Sequence, residues 1–427
     1  MKWIIFLIVV IKTFYLFILD NIKHKQRSKP LPSEVSDIYD QERYQSFIDY
    51  EEDYDHMRLI KRILNLVLIC IYLFSPLLTY IDQLHLNVYA TTFLTMFIIF
   101  VIDKIIDISC GYYATFVIEE KYHKNKKTIK LFIKDEVIEV LLDIILTFGL
   151  TGICIFFFEH IEKWTHNFSI TYIQSFIFSI GLVIVIGVLY LILMGISYFY
   201  LQTQYKFTEL EEGELRASIE DLMKDCDKKV KHIKVYNESK KSTGKNAFLL
   251  KILGYREFGI ADNFLDENSY NELLAVLSHE IGHLKHKKNI FNYIKYIVLV
   301  CVFLFVVYLI PHGQIGVMLS NYVLKSFGLT HMNYDVILAV LSYLCTPLFY
   351  LVSFYMNYVS RREEYEADDQ AVKNGYGKEL IDTFKRLSSD ELIDVYPADF
   401  IEFTSYDHPG MYHRIKHIEE KMKEGKS

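Results

Sequence analysis

Seven long apolar segments limit how this 427-residue chain can fold. A helix that crosses a bilayer needs roughly 20 consecutive apolar residues, and at that depth the backbone must satisfy its own hydrogen bonds. The segments are residues 1–19, 58–81, 88–110, 136–158, 170–200, 291–311 and 334–357. We therefore predict a mainly α-helical polytopic membrane protein with about seven transmembrane helices, the first of which is retained as an anchor.

Two of these segments contain several charged residues. They are Asp103, Lys104, Asp107, Glu136, Glu139 and Asp143. Charged groups at membrane depth are costly, and they usually face the interior of a bundle or a water-filled cavity unless they lie at helix ends. The charges favour a bundle with a wet interior, which a transporter or a channel would share.

Lysine and arginine are unevenly distributed among the connecting loops. The loops at 20–57 and 112–134 are rich in them, and the intervening loops contain at most one each. Positively charged loops stay in the cytosol. We therefore expect the N-terminus to lie outside the cytosol and residues 201–290 and 358–427 to lie inside it.

Charge and cysteine content argue against other classes of protein. The net charge is −7 and no basic stripe with interleaved aromatic residues is present, so we expect no nucleic-acid partner. The six cysteines form no Cys-x-x-Cys pair. They are typical of small packing residues rather than of a disulfide framework or a sulfur metal site.

Residues 201–290 have the pattern of a folded soluble part. The apolar spacing of residues 207–223 predicts a helix, and residues 231–236 alternate as a half-buried strand does. Two further strands follow, the first beginning at Asn246. An edge strand beside a metal can hold an extended substrate through its backbone, so Asn246 and Ala247 are candidate substrate contacts. Otherwise this is an ordinary strand of a small sheet.

The strongest chemical signal is His-Glu-x-x-His at residues 279–283. Residues four apart share one face of a helix, so His279 and His283 can bind one metal ion, and zinc is the metal that this pattern favours. Glu280 lies beside the first histidine, where it can take a proton from a water at the metal. The alternative is a solvated helix face that carries two histidines and a glutamate.

A zinc site of this kind needs a third ligand, and residues 360–369 contain several carboxylates. Glutamate is a usual third ligand of catalytic zinc. Chemistry alone leaves Glu363, Glu364 and Glu366 open. Asp368 follows Glu364 by four residues, where it could hydrogen-bond a ligand histidine through its free ring nitrogen. Without the upstream motif, an acidic surface helix would explain the same residues.

Near the C-terminus, His408 and Arg414 are two further candidates. Either could donate a hydrogen bond to a carbonyl oxygen that gains charge during a reaction. The alternative is a surface turn at Pro409 and Gly410 with solvated neighbours.

Several segments together resemble the integral-membrane CaaX prenyl protease 1 family of zinc metalloproteases. Besides the His-Glu-x-x-His, the resemblance rests on residues 116–121 with Asn125, Thr128, Phe132 and Asp135, on residues 212–216, 246–248 and 360–368, and on His408-Pro409 with Arg414. It covers most of the chain.

The resemblance implies seven transmembrane helices around a water-filled chamber and one zinc ion per chain. The implied roles are zinc ligation by His279, His283 and Glu364, general base catalysis by Glu280, support of a ligand by Asp368, main-chain contacts to substrate by Asn246 and Ala247, and substrate or oxyanion contacts by His408 and Arg414. The implied reaction removes the last three residues from a C-terminal Cys-a-a-X whose cysteine is prenylated. The implied setting is the endoplasmic reticulum membrane or nuclear envelope, with membrane lipid around the helices and the site open to the cytosol.

The chain departs from the family's pattern in three places. Phe248 lacks the hydroxyl of the family's tyrosine, residues 20–57 match only loosely and favour a cytosolic linker leading into a helix, and the C-terminus has no clean dilysine retrieval signal. These departures affect the localisation and the exact substrate more than the chemistry.

We predict four regions in the chain. They are a membrane region of five helices at 1–200, a cytosolic metalloprotease segment at 201–290, two further membrane helices at 291–357, and a cytosolic segment with the third ligand at 358–427. Two rival functions remain at this point. One is a quality-control zinc protease of membrane proteins, and the other is a non-catalytic membrane protein that binds prenylated proteins.

Overall fold

The computed structural model describes most of the chain. It describes residues 1–427 except 165–170, 225–230, 241–246, 253–254, 268–269, 286–300, 302–304, 306–313 and 426–427. The mainly helical fold with one small sheet is confirmed. The predicted membrane segment 291–311 lies almost entirely outside the described residues, as does Asn246.

Long helices form the N-terminal half. They are α1 (Lys2–Arg27), α2 (Gln41–Phe74), α3 (Leu77–Asp82), α4 (Val88–Tyr113), α5 (Ile129–Trp164) and α6 (Thr171–Gln204), and a π-helical turn at Ala114–Glu119 continues α4. Most helices of the C-terminal half are shorter. Its helices are α7 (Glu214–Leu222), α8 (Asp262–Glu267), α9 (Tyr270–Lys285), α10 (Gln314–Phe327), α11 (Tyr334–Leu344), α12 (Thr346–Lys373), α13 (Gly377–Asp390), α14 (Asp399–Ser405) and α15 (Met411–Glu424).

Within the described residues, fewer than seven helices have both the length and the apolarity of a membrane span. In that part of the chain, α1 and the stretch Ile129–Phe157 of α5 do, and α11 with α12 forms a third candidate that bends by 55°. Helix α4 contains Asp103, Lys104 and Asp107, which lower its apolarity. The number seven and the chamber therefore stay predictions.

A four-stranded mixed sheet precedes the His-Glu-x-x-His helix. Its strands are β1 (Phe207–Glu209), β2 (His232–Tyr236), β3 (Ala247–Ile252) and β4 (Tyr255–Ala261), in the order β1-β2-β4-β3. The central pair β2–β4 is parallel, and β1 and β3 are added antiparallel at the two edges. Ala247 thus begins an edge strand.

The predicted helix at 207–223 is wrong in its first part. Phe207 to Glu209 pair with β2, with Phe207 opposite Tyr236 and their rings stacked at 5.7 Å between centroids. The helical spacing of Leu215 and Ile219 supports a helix only after Gly213, where α7 begins. The strand has only three residues, too few for a recognisable alternation.

Residues 29–40 are more than a linker. Val35 and Phe47 are fully buried in the same apolar core as Leu380 and Ile415 near the C-terminus. A hydrophobic core holds together the elements that bury their apolar faces in it. Residues near the two ends of the chain therefore build one compact body.

Helix α9 lies between the sheet and α12. Leu277 and Ile281 are buried against Phe258 of β4. On the side of α12, Gly282 comes so close that an added Cβ would lie 2.6 Å from the Cα of Ala367. A glycine here lets the two helix backbones approach each other.

We expect Gly282→Ala to push α9 away from α12, because the extra methyl group has no room. Overpacking of this kind costs about 1–3 kcal/mol of unfolding free energy. The measurement is thermal melting of the purified protein in detergent. Gly149→Ala on α5 is the matched control, since its Cβ would meet no described atom within 4 Å. Equal melting temperatures for the two variants would contradict the close approach.

Candidate metal centre

Three side chains from two helices converge at one point. The Nε2 atoms of His279 and His283 on α9 lie 3.2 Å apart. A carboxylate of α12 completes the triangle: Glu364 Oε2 lies 3.5 Å from His279 Nε2, and its Oε1 lies 3.3 Å from His283 Nε2. Within the described part of the chain this is the group of histidine and carboxylate side chains that could hold a metal ion.

The size of the triangle fits zinc. Zinc binds imidazole nitrogen and carboxylate oxygen at about 2.0–2.1 Å with tetrahedral geometry, so two ligand atoms should lie about 3.3–3.4 Å apart. The three observed separations of 3.2, 3.3 and 3.5 Å bracket this value. Two histidines and one glutamate form a donor set of catalytic zinc sites that leaves a fourth position open.

The structure distinguishes among the three glutamates that chemistry left open. Glu364 is buried, with 5% of its surface exposed, whereas Glu363 and Glu366 are exposed. Successive residues of a helix point about 100° apart, so Glu364 faces α9, whereas Glu363 and Glu366, three residues apart, share another side of α12. The geometry brings Glu364 to the histidines.

Asp368 fixes the orientation of the first histidine. Its Oδ1 accepts a hydrogen bond from His279 Nδ1 at 2.9 Å, which leaves Nε2 for the metal. Asp368 is fully buried. It lies one helical turn beyond Glu364, so both carboxylates face α9.

Both carboxylates are held in the charged form, and both lie beyond the predicted membrane segment. Burial alone would raise the pKa of Glu364, but the hydrogen bond with His283 and the charge of Arg414 outweigh it and lower the pKa to about 2. Burial likewise opposes ionisation of Asp368, and the charge of Arg414 with the hydrogen bond from His279 lowers its pKa to about 2. Charged oxygens are the form that a zinc ligand and its support require.

Arg414 is buried behind the triangle. Its Nε donates to Asp368 Oδ2 at 2.9 Å and its Nη2 donates to Oδ1 at 2.6 Å, and Nη2 lies 3.4 Å from Glu364 Oε2. The guanidinium also lies over the ring of Phe384, 4.2 Å from its centroid. These contacts give Arg414 a positioning role toward both carboxylates.

His408, unlike Arg414, lies on the exposed side of the triangle. Its side chain is 57% exposed, its Nε2 lies 3.4 Å from Glu364 Oε1, and its Nδ1 lies 2.8 Å from Asp407 Oδ1. A half-exposed ring beside a metal ligand is accessible to a substrate. Of the two C-terminal candidates, His408 is therefore the one available to donate to a reacting carbonyl.

Two further predicted residues, Glu280 and Ala247, lie on α9 and on β3. Glu280 is half-buried on α9, next to His279. Ala247 is buried at the start of β3, and it belongs to the apolar core that also contains Leu277 of α9. The edge strand and the His-Glu-x-x-His helix thus share one core.

Sequence reasoning missed Arg361. Its Nη1 donates to the backbone carbonyls of Glu402 at 2.9 Å and of Tyr406 at 2.6 Å, which fixes the segment that leads to His408. Arg361 precedes Glu364 by three residues, and residues three apart are neighbours on a helix. The three-residue spacing between Arg361 and Glu364 is therefore the signal in the sequence that could have identified Arg361.

Two sequence families match the chain. Residues 21–193 match the family described as CAAX prenyl protease N-terminal, five membrane helices, and residues 209–422 match Peptidase family M48. The chain belongs to peptidase family M48. It is a metallopeptidase, and the metal of this family is generally zinc. The family predicted from the motifs is confirmed.

Curated relatives agree with this membership. The chain is 33% identical to the probable CAAX prenyl protease 1 of Schizosaccharomyces pombe over 76% of its own length and 65% of that protein's. It is 29% identical to the CAAX prenyl protease 1 homolog of Arabidopsis thaliana over 74% of its own length and 70% of the relative's. The match thus spans about two thirds of each relative.

A solved structure of another protein has a similar fold. The crystal structure of S. mikatae Ste24p superimposes with a TM-score of 0.78 and covers 98% of both chains at 22% identity. The agreement in fold covers the N-terminal membrane helices as well as the peptidase part.

We expect Asp368→Asn to weaken zinc binding by about 10–100-fold, because the amide no longer anchors His279 as a charged acceptor. Competition with a chromophoric chelator measures the affinity. Asp369→Asn is the matched control, since Asp369 pairs with His417 at 2.8 Å rather than with a ligand. An unchanged affinity for Asp368→Asn would show that this hydrogen bond does not support the metal.

Proposed function

We propose that this chain is a zinc metalloendopeptidase that removes the last three residues from prenylated Cys-a-a-X proteins, with one zinc ion per chain. The observation that carries the proposal is the triangle of His279, His283 and Glu364, with separations that fit tetrahedral zinc. The relatives named CAAX prenyl protease 1 support the substrate class.

His279, His283 and Glu364 would hold the zinc ion, which when bound would supply polarisation of a scissile carbonyl and a lowering of the pKa of a water toward about 7. Glu280 takes the proton of the attacking water and passes it to the leaving amine. His408 donates a hydrogen bond to the carbonyl oxygen as its negative charge grows. Asp368 and Arg414 keep His279 and Glu364 oriented throughout.

The edge strand supplies the substrate's backbone contacts in this proposal. Strand β3 pairs with β4 on one side, and an extended peptide can pair with the other side of an edge strand. Ala247, at its start, and Asn246, the preceding residue in the sequence, are the proposed contacts. Backbone pairing suits an enzyme whose substrates share a short C-terminal segment.

The setting is a multi-pass membrane protein. We propose that it resides in the endoplasmic reticulum membrane, as the resemblance to the CaaX prenyl protease 1 family implies, and that the metal centre opens to the cytosol, because the lysine- and arginine-rich loops favour that side. Prenylated proteins reside at the lipid surface, because one or two lipid anchors hold them there. A metal centre next to the bilayer meets them without extracting the lipid.

We expect Glu280→Gln to bind zinc normally and to cleave a farnesylated Cys-a-a-X peptide at least about 100-fold more slowly, since general base catalysis contributes about 10²–10⁴-fold. Mass spectrometry of the released tripeptide and metal analysis of the same sample measure both properties. Glu363→Gln, at an exposed glutamate, is the control. Chelator treatment should abolish activity and added zinc should restore it. Normal cleavage by Glu280→Gln would reject the mechanism.

We expect His408→Ala to lower kcat by about 10²–10³-fold while zinc content and melting temperature stay unchanged, because the ring is exposed and donates only in the transition state. Steady-state kinetics with metal analysis tests this. A loss of zinc instead of kcat would assign His408 to the metal.

A further inference from the structure

Helix α14 buries Ile401 but exposes its two phenylalanines, which are the residues one would expect to find buried. Phe400 and Phe403 are 48% and 51% exposed, whereas Glu402 and Thr404 are buried. In the described residues of 207–285 and 358–425, these two are the only exposed phenylalanines. Exposed aromatic pairs of this kind mark a surface that meets apolar material. We call Phe400 and Phe403 the α14 phenylalanine face.

Hydrogen bonds fix the inverted orientation. Glu402 Oε2 lies 2.7 Å from His413 Nδ1, and Thr404 Oγ1 donates to the carbonyl of Phe400 at 2.7 Å. Gly410 leaves space for this arrangement, since an added Cβ there would lie 2.7 Å from Glu402 Oε2. Rotating α14 to bury its phenylalanines would break the hydrogen bond between the buried Glu402 and the half-buried His413.

The α14 phenylalanine face lies between the apolar half of α12 and the metal centre. The ring of Phe403 lies 5.8 Å from that of Phe354, which belongs to the predicted membrane segment. His408, five residues after Phe403, contacts Glu364 at 3.4 Å. An apolar chain that starts at the metal centre and runs toward the bilayer would pass this face.

The connection to the metal ligands separates this face from a simple membrane anchor. Arg361 lies one turn before Glu364 on α12, and its guanidinium binds the carbonyls that end α14. An anchoring helix needs only apolar surface toward the lipid. Here the same arginine sets both the position of the phenylalanines and the path to His408.

We propose that the α14 phenylalanine face binds the isoprenoid chain of the substrate while the peptide bond next to its cysteine lies at the metal. This rests on the proposed function, in which the residue before the cleaved bond carries the lipid. Two aromatic rings bind an unsaturated hydrocarbon by burying apolar surface, and they leave the peptide backbone to β3.

Kinetics on two substrates tests the proposal. We expect Phe400→Ser/Phe403→Ser to lower kcat/KM at least tenfold for an S-farnesyl peptide and to leave an S-ethyl peptide unchanged, since only the long chain reaches the face. Phe403→Leu should keep most of the farnesyl preference. Phe97→Ser, at an exposed phenylalanine of α4, is the matched control. An equal loss on both peptides, or no loss on either, would overturn the proposal.

Photocrosslinking gives a readout without turnover. A peptide with a benzophenone-bearing isoprenoid is bound to Glu280→Gln protein in detergent and irradiated. We expect the adduct within residues 399–405, and an adduct only elsewhere in the protein or only on lipid would overturn the proposal. If wild-type protein cleaves no farnesylated peptide, the proposed function itself fails. If wild-type protein cleaves the peptide and the serine variants cleave it equally well, only the proposal about the isoprenoid chain fails.

Discussion

The buried ion pair between Asp368 and Arg414 is the interaction on which the metal centre depends. Both side chains are almost fully buried, and two hydrogen bonds of 2.9 and 2.6 Å join them. A buried charge that loses its partner costs about 3–5 kcal/mol, so neither residue tolerates removal of the other. The pair also joins three distant parts of the chain, because Asp368 holds His279 of α9 and Arg414 comes from α15. The last helix, α15, therefore contributes directly to the packing of the candidate metal centre.

The body that carries this ion pair is built from residues near both ends of the chain and from the loop at 112–134. Glu119 accepts hydrogen bonds from Tyr50 at 2.8 Å and Tyr54 at 2.6 Å, which ties the π-helical turn to α2. Lys124 donates at 2.7 Å to both the carbonyl and the carboxylate of Glu391. The lysine-rich loop at 112–134 therefore has a structural role besides its positive charge. It connects the membrane helices to the segment that leads to the metal centre.

Local patterns in the sequence predicted the parts of the site that one helix determines. His279 and His283 share a helix face, and Asp368 follows Glu364 by one turn, so spacing alone placed them correctly relative to each other. Spacing could not select Glu364 among three glutamates, since that depends on how α12 rotates against α9 around Gly282. It also could not show that Arg414 is buried behind Asp368, because that contact spans 46 residues.

Two further features were out of reach for related reasons. Residues 29–40 contain few apolar residues, so composition indicated a linker, yet Val35 is completely buried in a core shared with the C-terminal helices. Helix α14 buries Ile401, but it also buries a glutamate and exposes two phenylalanines, which amphipathicity does not predict. In both cases the deciding contacts are long-range.

X-ray absorption at the zinc edge of the purified protein tests the central claim most directly, that α9 and α12 together form one zinc site. We predict nitrogen and oxygen neighbours at about 2.0–2.1 Å, with imidazole scattering from two histidines and no sulfur at about 2.3 Å. Glu364→Ala should remove an oxygen neighbour and change the spectrum. Sulfur ligation, or a spectrum that Glu364→Ala leaves unchanged, would contradict the claim.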